Sequence, residues 1–202
     1  MSRTIALLGQ PNSGKSTIFN GLTGAHQHVG NWPGKTVERK EGSFRYQEND
    51  YRIIDLPGSY SLSAGSDEER ITSDFIRSGA ADLVAILVDS SQLERSLYMY
   101  TDYIGTKTPA ILILNLMDVA EKKGISIDTE KLSERIGIPV MSFVASETKK
   151  YGALKEQLAK AIDAGKTADF AGLMKYYEQD PELSFATMVD GQKEEKLLTA
   201  GK

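Results

Sequence analysis

The chain contains no cysteine. That removes a disulfide framework and any thiolate-held metal, and it fits a reducing compartment. Nor is there an excess of positive charge. Lys and Arg number 24 against 28 Asp and Glu, a formal net charge of −4, and the longest basic cluster is Lys149 with Lys150. No global field therefore draws in nucleic acid or anionic lipid. Long hydrophobic runs are missing as well. The apolar run after Arg3 extends only from Ile5 to Leu8, so the N-terminus lacks the layout of a signal peptide. No stretch approaches the about 18 consecutive apolar residues of a membrane span. Internal repeats and low-complexity tracts are absent. His26 and His28 stand without a nearby carboxylate triad, so they read as exposed loop residues rather than metal ligands. Together these absences point to a cytosolic chain, or to a cytosolic piece of a longer one.

What remains is a pattern of short apolar runs alternating with helical periodicity, in 202 residues that suffice for one α/β domain with a real core. Residues 4–8, 51–54, 83–88, 110–114 and 140–144 read as buried strands. The half-polar segment 38–46 alternates and suits an edge strand, turned back onto 51–54 through "QENDY". Helices are expected over 15–23, 67–77, 92–105, 129–136 and 152–164. Ser66 with Glu69 three residues later is a capping-box pattern. Leu93, Leu97, Tyr100 and Ile104 form a core-facing stripe. Strand–helix alternation predicts a mostly parallel, six-stranded sheet with one antiparallel edge strand and helices on both faces. Ligands should then bind at the carboxyl ends of the strands. Residues 1–165 read as this domain. Residues 166–202 read as a short helical extension, or as the stump of a further helical domain.

Gly9 to Ser16 reads G-Q-P-N-S-G-K-S, the G-x-x-x-x-G-K-[ST] spacing, directly after a strand and opening a helix. Glycines let backbone N–H groups approach phosphate closely, and the helix N-terminus adds its positive dipole end. Gly9, Asn12, Ser13, Gly14, Lys15, Ser16 and Thr17 are therefore candidate phosphate binders, with Lys15 reaching the β- and γ-phosphates and the Ser16 hydroxyl on Mg²⁺. "DLPG" ends the next buried strand: Asp55 can hold Mg²⁺ through water, and the Gly58 N–H can contact a γ-phosphate. "NLMD" ends the strand over 110–114. Asp118 can accept two hydrogens from the N1–H and 2-amino group of guanine, which adenine lacks, while Asn115 braces the loops. Asp118 alone would read as a helix cap. "FVASE" adds Val144, Ala145 and Ser146, with the Ala145 N–H as the candidate partner of guanine O6. A kinase or ATPase using the same phosphate loop is disfavoured by "NLMD".

These boxes resemble the translation-factor-like class of small GTPases. The stretch from Gly24 to Gly42, "GAHQHVGNWPGKTVERKEG", resembles the first switch of the GTPase domain of the ferrous iron transport protein B family, membrane transporters of bacteria and archaea. "DLPGSYSL" and "NLMD" agree with the same family, and the resemblance covers roughly residues 3–163. It implies a P-loop GTPase fold that hydrolyses GTP to GDP and phosphate on the cytoplasmic face of the membrane. The partner would be a transmembrane region of the same polypeptide, homo-oligomerisation is left open, and no nucleic acid is bound. It also implies that Thr36, beside Lys35, is the switch threonine that joins Ser16 and Asp55 on Mg²⁺. Asn12 would help hold an activating K⁺, with the backbone carbonyls of Asn31 and Trp32 completing its shell. Lys15, Asn12, Thr36 and Gly58 become the catalytic set. Gln10, Met117 and Ser59 depart from common patterns. Met117 leaves only a thioether stem beside the base, and Ser59 is too short to position water, which predicts modest affinity and slow turnover. The resemblance further implies that this turnover is K⁺-stimulated and coupled to Fe(II) uptake. The competing reading is a soluble GTPase of ribosome assembly or RNA modification, for which this acidic chain shows no basic appendage.

Overall fold

The computed structural model describes residues 2–62 and 65–168. The proposed extension lies outside them apart from residues 166–168.

The seven-stranded sheet is assembled from β1 (Arg3–Gly9), β2 (Gln27–Asn31), β3 (Glu38–Tyr46), β4 (Asn49–Asp55), β5 (Leu83–Asp89), β6 (Ala110–Asn115) and β7 (Val140–Ser142), in the order β2-β3-β4-β1-β5-β6-β7. β4, β1, β5, β6 and β7 run parallel, while β3 is antiparallel to both β4 and β2. The fold class expected from the sequence holds, with one strand more than the six expected. The addition is β2, an edge strand with all five residues exposed. Without a buried face it has none of the alternation that betrays a strand.

Period-2 alternation explains the two cores. Along β1, Ala6 and Leu8 face one cluster while Ile5 and Leu7 face the other. β5 repeats this with Val84, Ile86 and Val88 against Leu83, Ala85 and Leu87. The second cluster is closed by α1 (Lys15–Thr23) and α6 (Tyr151–Ala164), through Ile18, Phe19 and Leu22 and through Leu154 and Leu158. The first is closed by α2 (Asp67–Arg77), α3 (Leu93–Tyr103), α4 (Met117–Lys122) and α5 (Thr129–Ile136). Leu93, Leu97 and Tyr100 are buried in it as expected, with Ile104 packed alongside. α2 starts at the expected capping box: Ser66 Oγ accepts from Glu69 N at 3.1 Å, and the Ser66 N–H donates back to the Glu69 carboxylate at 3.2 Å. α4 was not legible as a helix in the sequence. Its six residues carry too short a pattern. Thr167 bridges antiparallel to Pro109 beside β6.

Candidate phosphate and purine site

The parallel strands bring Gly9, Asp55, Asp89 and Asn115 to one edge of the sheet, their common carboxyl end. β1 runs directly into the loop that opens α1. There Asn12 (φ 65) and Gly14 (φ 85) adopt left-handed backbone. Asn is among the few side chains that tolerate this conformation. Gly14 has a second reason to lack a side chain: a Cβ would lie 2.1 Å from Asn115 Nδ2. The Ser13 N–H donates to Gln10 O at 3.2 Å, which closes the turn. Gly14 caps α1 without any side-chain hydrogen bond, and the first turn of α1 carries no acidic residue. Its N-terminal amides and dipole therefore face the loop without a counter-charge from the helix itself. The Ser13 hydroxyl, 2% exposed, has no hydrogen-bond partner. A buried polar atom without a partner calls for one.

Lys15 forms an ion pair with Asp55, and both side chains are about nine-tenths buried. The loop's one ammonium is thus held at the end of β4 by the carboxylate there. The Ser16 hydroxyl is exposed just beyond. Hard oxygen donors of this kind, a carboxylate and a hydroxyl, suit Mg²⁺. Gly58 approaches the loop from the far side, where a Cβ would sit 3.5 Å from Pro11. Ser59 is 2% exposed with an unpartnered hydroxyl, and its N–H points to Gly9 O at 3.4 Å.

Asn115, fully buried, ties two loops together. Its Nδ2 donates to Ser13 O at 2.8 Å, and its Oδ1 accepts from the Ala145 N–H at 3.1 Å. The Ala145 N–H, the expected partner of guanine O6, is engaged here by Asn115; the next residue, Ser146, is exposed. Tyr151 braces the same junction, its hydroxyl 2.9 Å from Ala145 O and 3.2 Å from Thr17 O. Burial pushes the Tyr151 phenol above its ordinary pKa. Nothing in the sequence marked it, because an aromatic at a helix start reads as packing. Leu116 takes a left-handed conformation (φ 60) as N-cap of α4 and sets Asp118, exposed, in the first turn of that helix. Met117 packs against the core.

The loop between β2 and β3 is held by contacts of its own. Trp32 is 8% exposed, edge-on to Phe75 at 5.6 Å and beneath the Arg39 guanidinium at 4.7 Å. The Trp32 backbone N–H donates to Val37 O at 3.0 Å, and its backbone carbonyl accepts from the Lys35 N–H at 2.9 Å. The Lys35 ammonium lies 2.8 Å from Asp67, whose carboxyl it holds below the usual value. Thr36 is exposed. Asn31 ends β2. His26 and His28 are exposed, and among the described residues no cluster of metal-ligating side chains is present. Gln10, read from the sequence only as a departure from the common pattern, is 9% exposed and donates its side-chain amide to Arg95 O at 2.8 Å; Tyr60, which the sequence reading passed over, lies under the Arg95 guanidinium at 5.1 Å.

A family model described as ferrous iron transport protein B matches residues 3–158. The chain belongs to the ferrous iron transport protein B family. It is 45% identical over 177 residues to the Fe(2+) transporter FeoB of Salmonella typhimurium, covering 86% of this chain and 22% of that protein. The FeoB of Escherichia coli K12 gives the same figures. The chain therefore spans 22% of the length of the curated relatives it matches. Among solved family structures, the G domain of T. maritima FeoB superposes with a TM-score of 0.74 at 40% identity, covering 80% of this chain and 99% of that one. The GMPPNP form of the T. maritima cytosolic domain gives 0.75 at 41% identity, covering 78% and 63%. The cytosolic domain of L. pneumophila FeoB gives 0.73 at 41% identity, covering 78% and 68%. In family terms the chain carries the G-domain fold, a P-loop α/β sheet.

Proposed function

We propose that this chain is the GTP-binding and GTP-hydrolysing switch domain of a ferrous iron transporter, joined in the whole protein to a membrane region that reads its state. The observation that carries the nucleotide reading is the Asn115 clasp, which fastens the phosphate loop to the loop expected to meet the purine. One family relative, the cytosolic domain of T. maritima FeoB, has solved structures in GDP and GMPPNP forms, which supports a guanine nucleotide here.

On this reading the amides of residues 12–17 and the Lys15 ammonium bind the phosphates, and Asp118 with the Ser146 N–H reads the guanine edge. Ser16, Thr36 and Asp55 would hold Mg²⁺, which supplies charge neutralisation between the β- and γ-phosphates when bound. For Thr36 to join them, the turn from Trp32 to Val37 must open and Lys35 must leave Asp67. That rearrangement is the switch. Asn12 and the carbonyls of Asn31 and Trp32 would hold K⁺. The Trp32 carbonyl accepts from Lys35 N–H and keeps a second lone pair for a cation. Ser59, short and buried, leaves water orientation to backbone groups, so turnover is slow.

Fluorescent GDP titrated into the Mg²⁺-supplemented protein should bind and be displaced by GDP but not by ADP. Displacement by ADP, or no binding at all, overturns the reading. GTP hydrolysis compared in KCl and NaCl, with Asn12→Ala alongside, tests the cation. Equal rates in both salts would remove K⁺ and leave the nucleotide assignment standing.

A further inference from the structure

The sheet ends at β2, and all five of its residues are exposed. Two hydrogen bonds fix which way this edge faces. Ser43 N–H donates to His26 O at 3.1 Å, and Trp32 N–H donates to Val37 O at 3.0 Å. The register runs from Gln27 opposite Gly42 to Asn31 opposite Glu38. In an antiparallel ladder, inward and outward residues alternate. His28 and Gly30 therefore turn their backbone groups toward β3. Gln27, Val29 and Asn31 turn theirs away from the sheet.

These three outward positions are symmetric about Val29. Reversing the strand about that residue places Gln27 opposite Asn31 and Val29 opposite itself, with a donor facing every acceptor. The strand also lacks the usual protections of an exposed edge. "QHVGN" has no lysine, no acidic residue and no proline. Val29 is 53% exposed, one of two large hydrophobic residues so exposed among those described. The neighbouring charges are already matched: Arg39 and Arg52 with Glu41, and Lys40 with Glu38. A second copy could thus approach without like-charge repulsion.

We propose that two copies of this chain pair β2 to β2, antiparallel across a two-fold axis at Val29, joining two seven-stranded sheets into one. A second copy is favoured because this register sets Gln27 opposite Asn31 and His28 opposite Gly30, so self-pairing brings no two like-charged acidic or basic side chains together. Five residues make a small seam, well below the about 1,200 Å² of a standard interface, so the dimer is transient. Because β2 leads directly into the loop carrying Thr36, pairing restrains one arm of that loop. The proposal does not depend on the nucleotide reading.

The cysteine-free chain gives a clean test. Across the axis, hydrogen-bonded partners lie about 5.5 Å apart at Cα and non-hydrogen-bonded partners about 4.5 Å apart, both inside the about 4.4–6.8 Å range of disulfides. Under mild oxidation Val29→Cys should form a covalent dimer. His28→Cys mixed with Gly30→Cys should form a mixed dimer, since those positions face each other. A Cβ at Gly30 meets only His28 Nε2, at 3.8 Å, so that variant is accommodated. Gln27→Cys alone should stay monomeric, because its two copies stand four positions apart. Lys107→Cys, on a distant exposed loop, sets the collisional rate. Cross-linking of Val29→Cys and of the mixture at least about tenfold faster than Lys107→Cys, with Gln27→Cys spared, supports the seam. Equal rates at all sites, or no cross-link at Val29→Cys and in the mixture, overturns it.

Discussion

Replacing Asn115 by alanine removes both ends of the clasp. Ser13 O loses a donor 2.8 Å away and Ala145 N–H loses an acceptor 3.1 Å away, both in a buried setting. Leaving a buried polar group unsatisfied costs about 1–3 kcal/mol, so two such groups cost about 4 kcal/mol together. For a domain of this size that lowers Tm by about 8–16 °C, at about 2–4 °C per kcal/mol. Chemical denaturation followed by far-UV circular dichroism reads the loss directly. Asn115→Asp sharpens the test. It keeps an acceptor for Ala145 but turns an oxygen toward Ser13 O. Burial raises the pKa of such a carboxyl, so its stability deficit should shrink as pH falls and the protonated group donates. A loss below about 1 kcal/mol for Asn115→Ala, or a deficit for Asn115→Asp that does not change with pH, would refute the reasoning that two buried backbone groups depend on this side chain.

Asp118→Asn exchanges two acceptors for a mixed amide. GDP affinity should fall by about 100-fold, the equivalent of about 3 kcal/mol, while a xanthine nucleotide, whose C2 carbonyl matches the new donor, should gain affinity by calorimetry. Tyr103 is fully buried, donates to Thr108 O at 2.7 Å, and is pushed up to about 12 by burial. The unfolded phenol ionises first, so stability is flat below pH ~10 and should fall by roughly 3 kcal/mol between pH ~10 and ~12. Denaturation midpoints across that window, compared with Tyr103→Phe, read it, and an identical slope in the variant would defeat the claim. Trp32 is the sole tryptophan and lies in the turn that must open. GMPPNP with Mg²⁺ should shift its emission to the red, and an unchanged spectrum would mean that the turn stays closed.

Much of this was legible because the signals are local. The boundaries of α1, α2 and α5 follow from caps and periodicity, whereas the Lys15–Asp55 ion pair was not foreseen from motifs that assign the two side chains to different partners. The misses share a different cause. β2 has no buried face and α4 is shorter than two turns, so neither leaves a period to count. The redirected Ala145 amide depends on a partner 30 residues away, and the Tyr151 brace on Thr17, 134 residues away. Lys35 on Asp67 and Trp32 on Phe75 are likewise tertiary choices, made among several alternatives that the same residues allow.

The Lys15–Asp55 pair has a consequence for how the site fills. A phosphate that attracts the ammonium leaves behind a carboxylate sunk in protein, and an unmatched charge there is penalised by several kcal/mol. A divalent ion that attracts the carboxylate strands the ammonium in the same way. Anion and cation are thus substitutes for each other's absent partner, and each is accepted most readily when both arrive. Such a site discriminates against bare nucleotide and bare metal alike, by charge balance and before any shape is read.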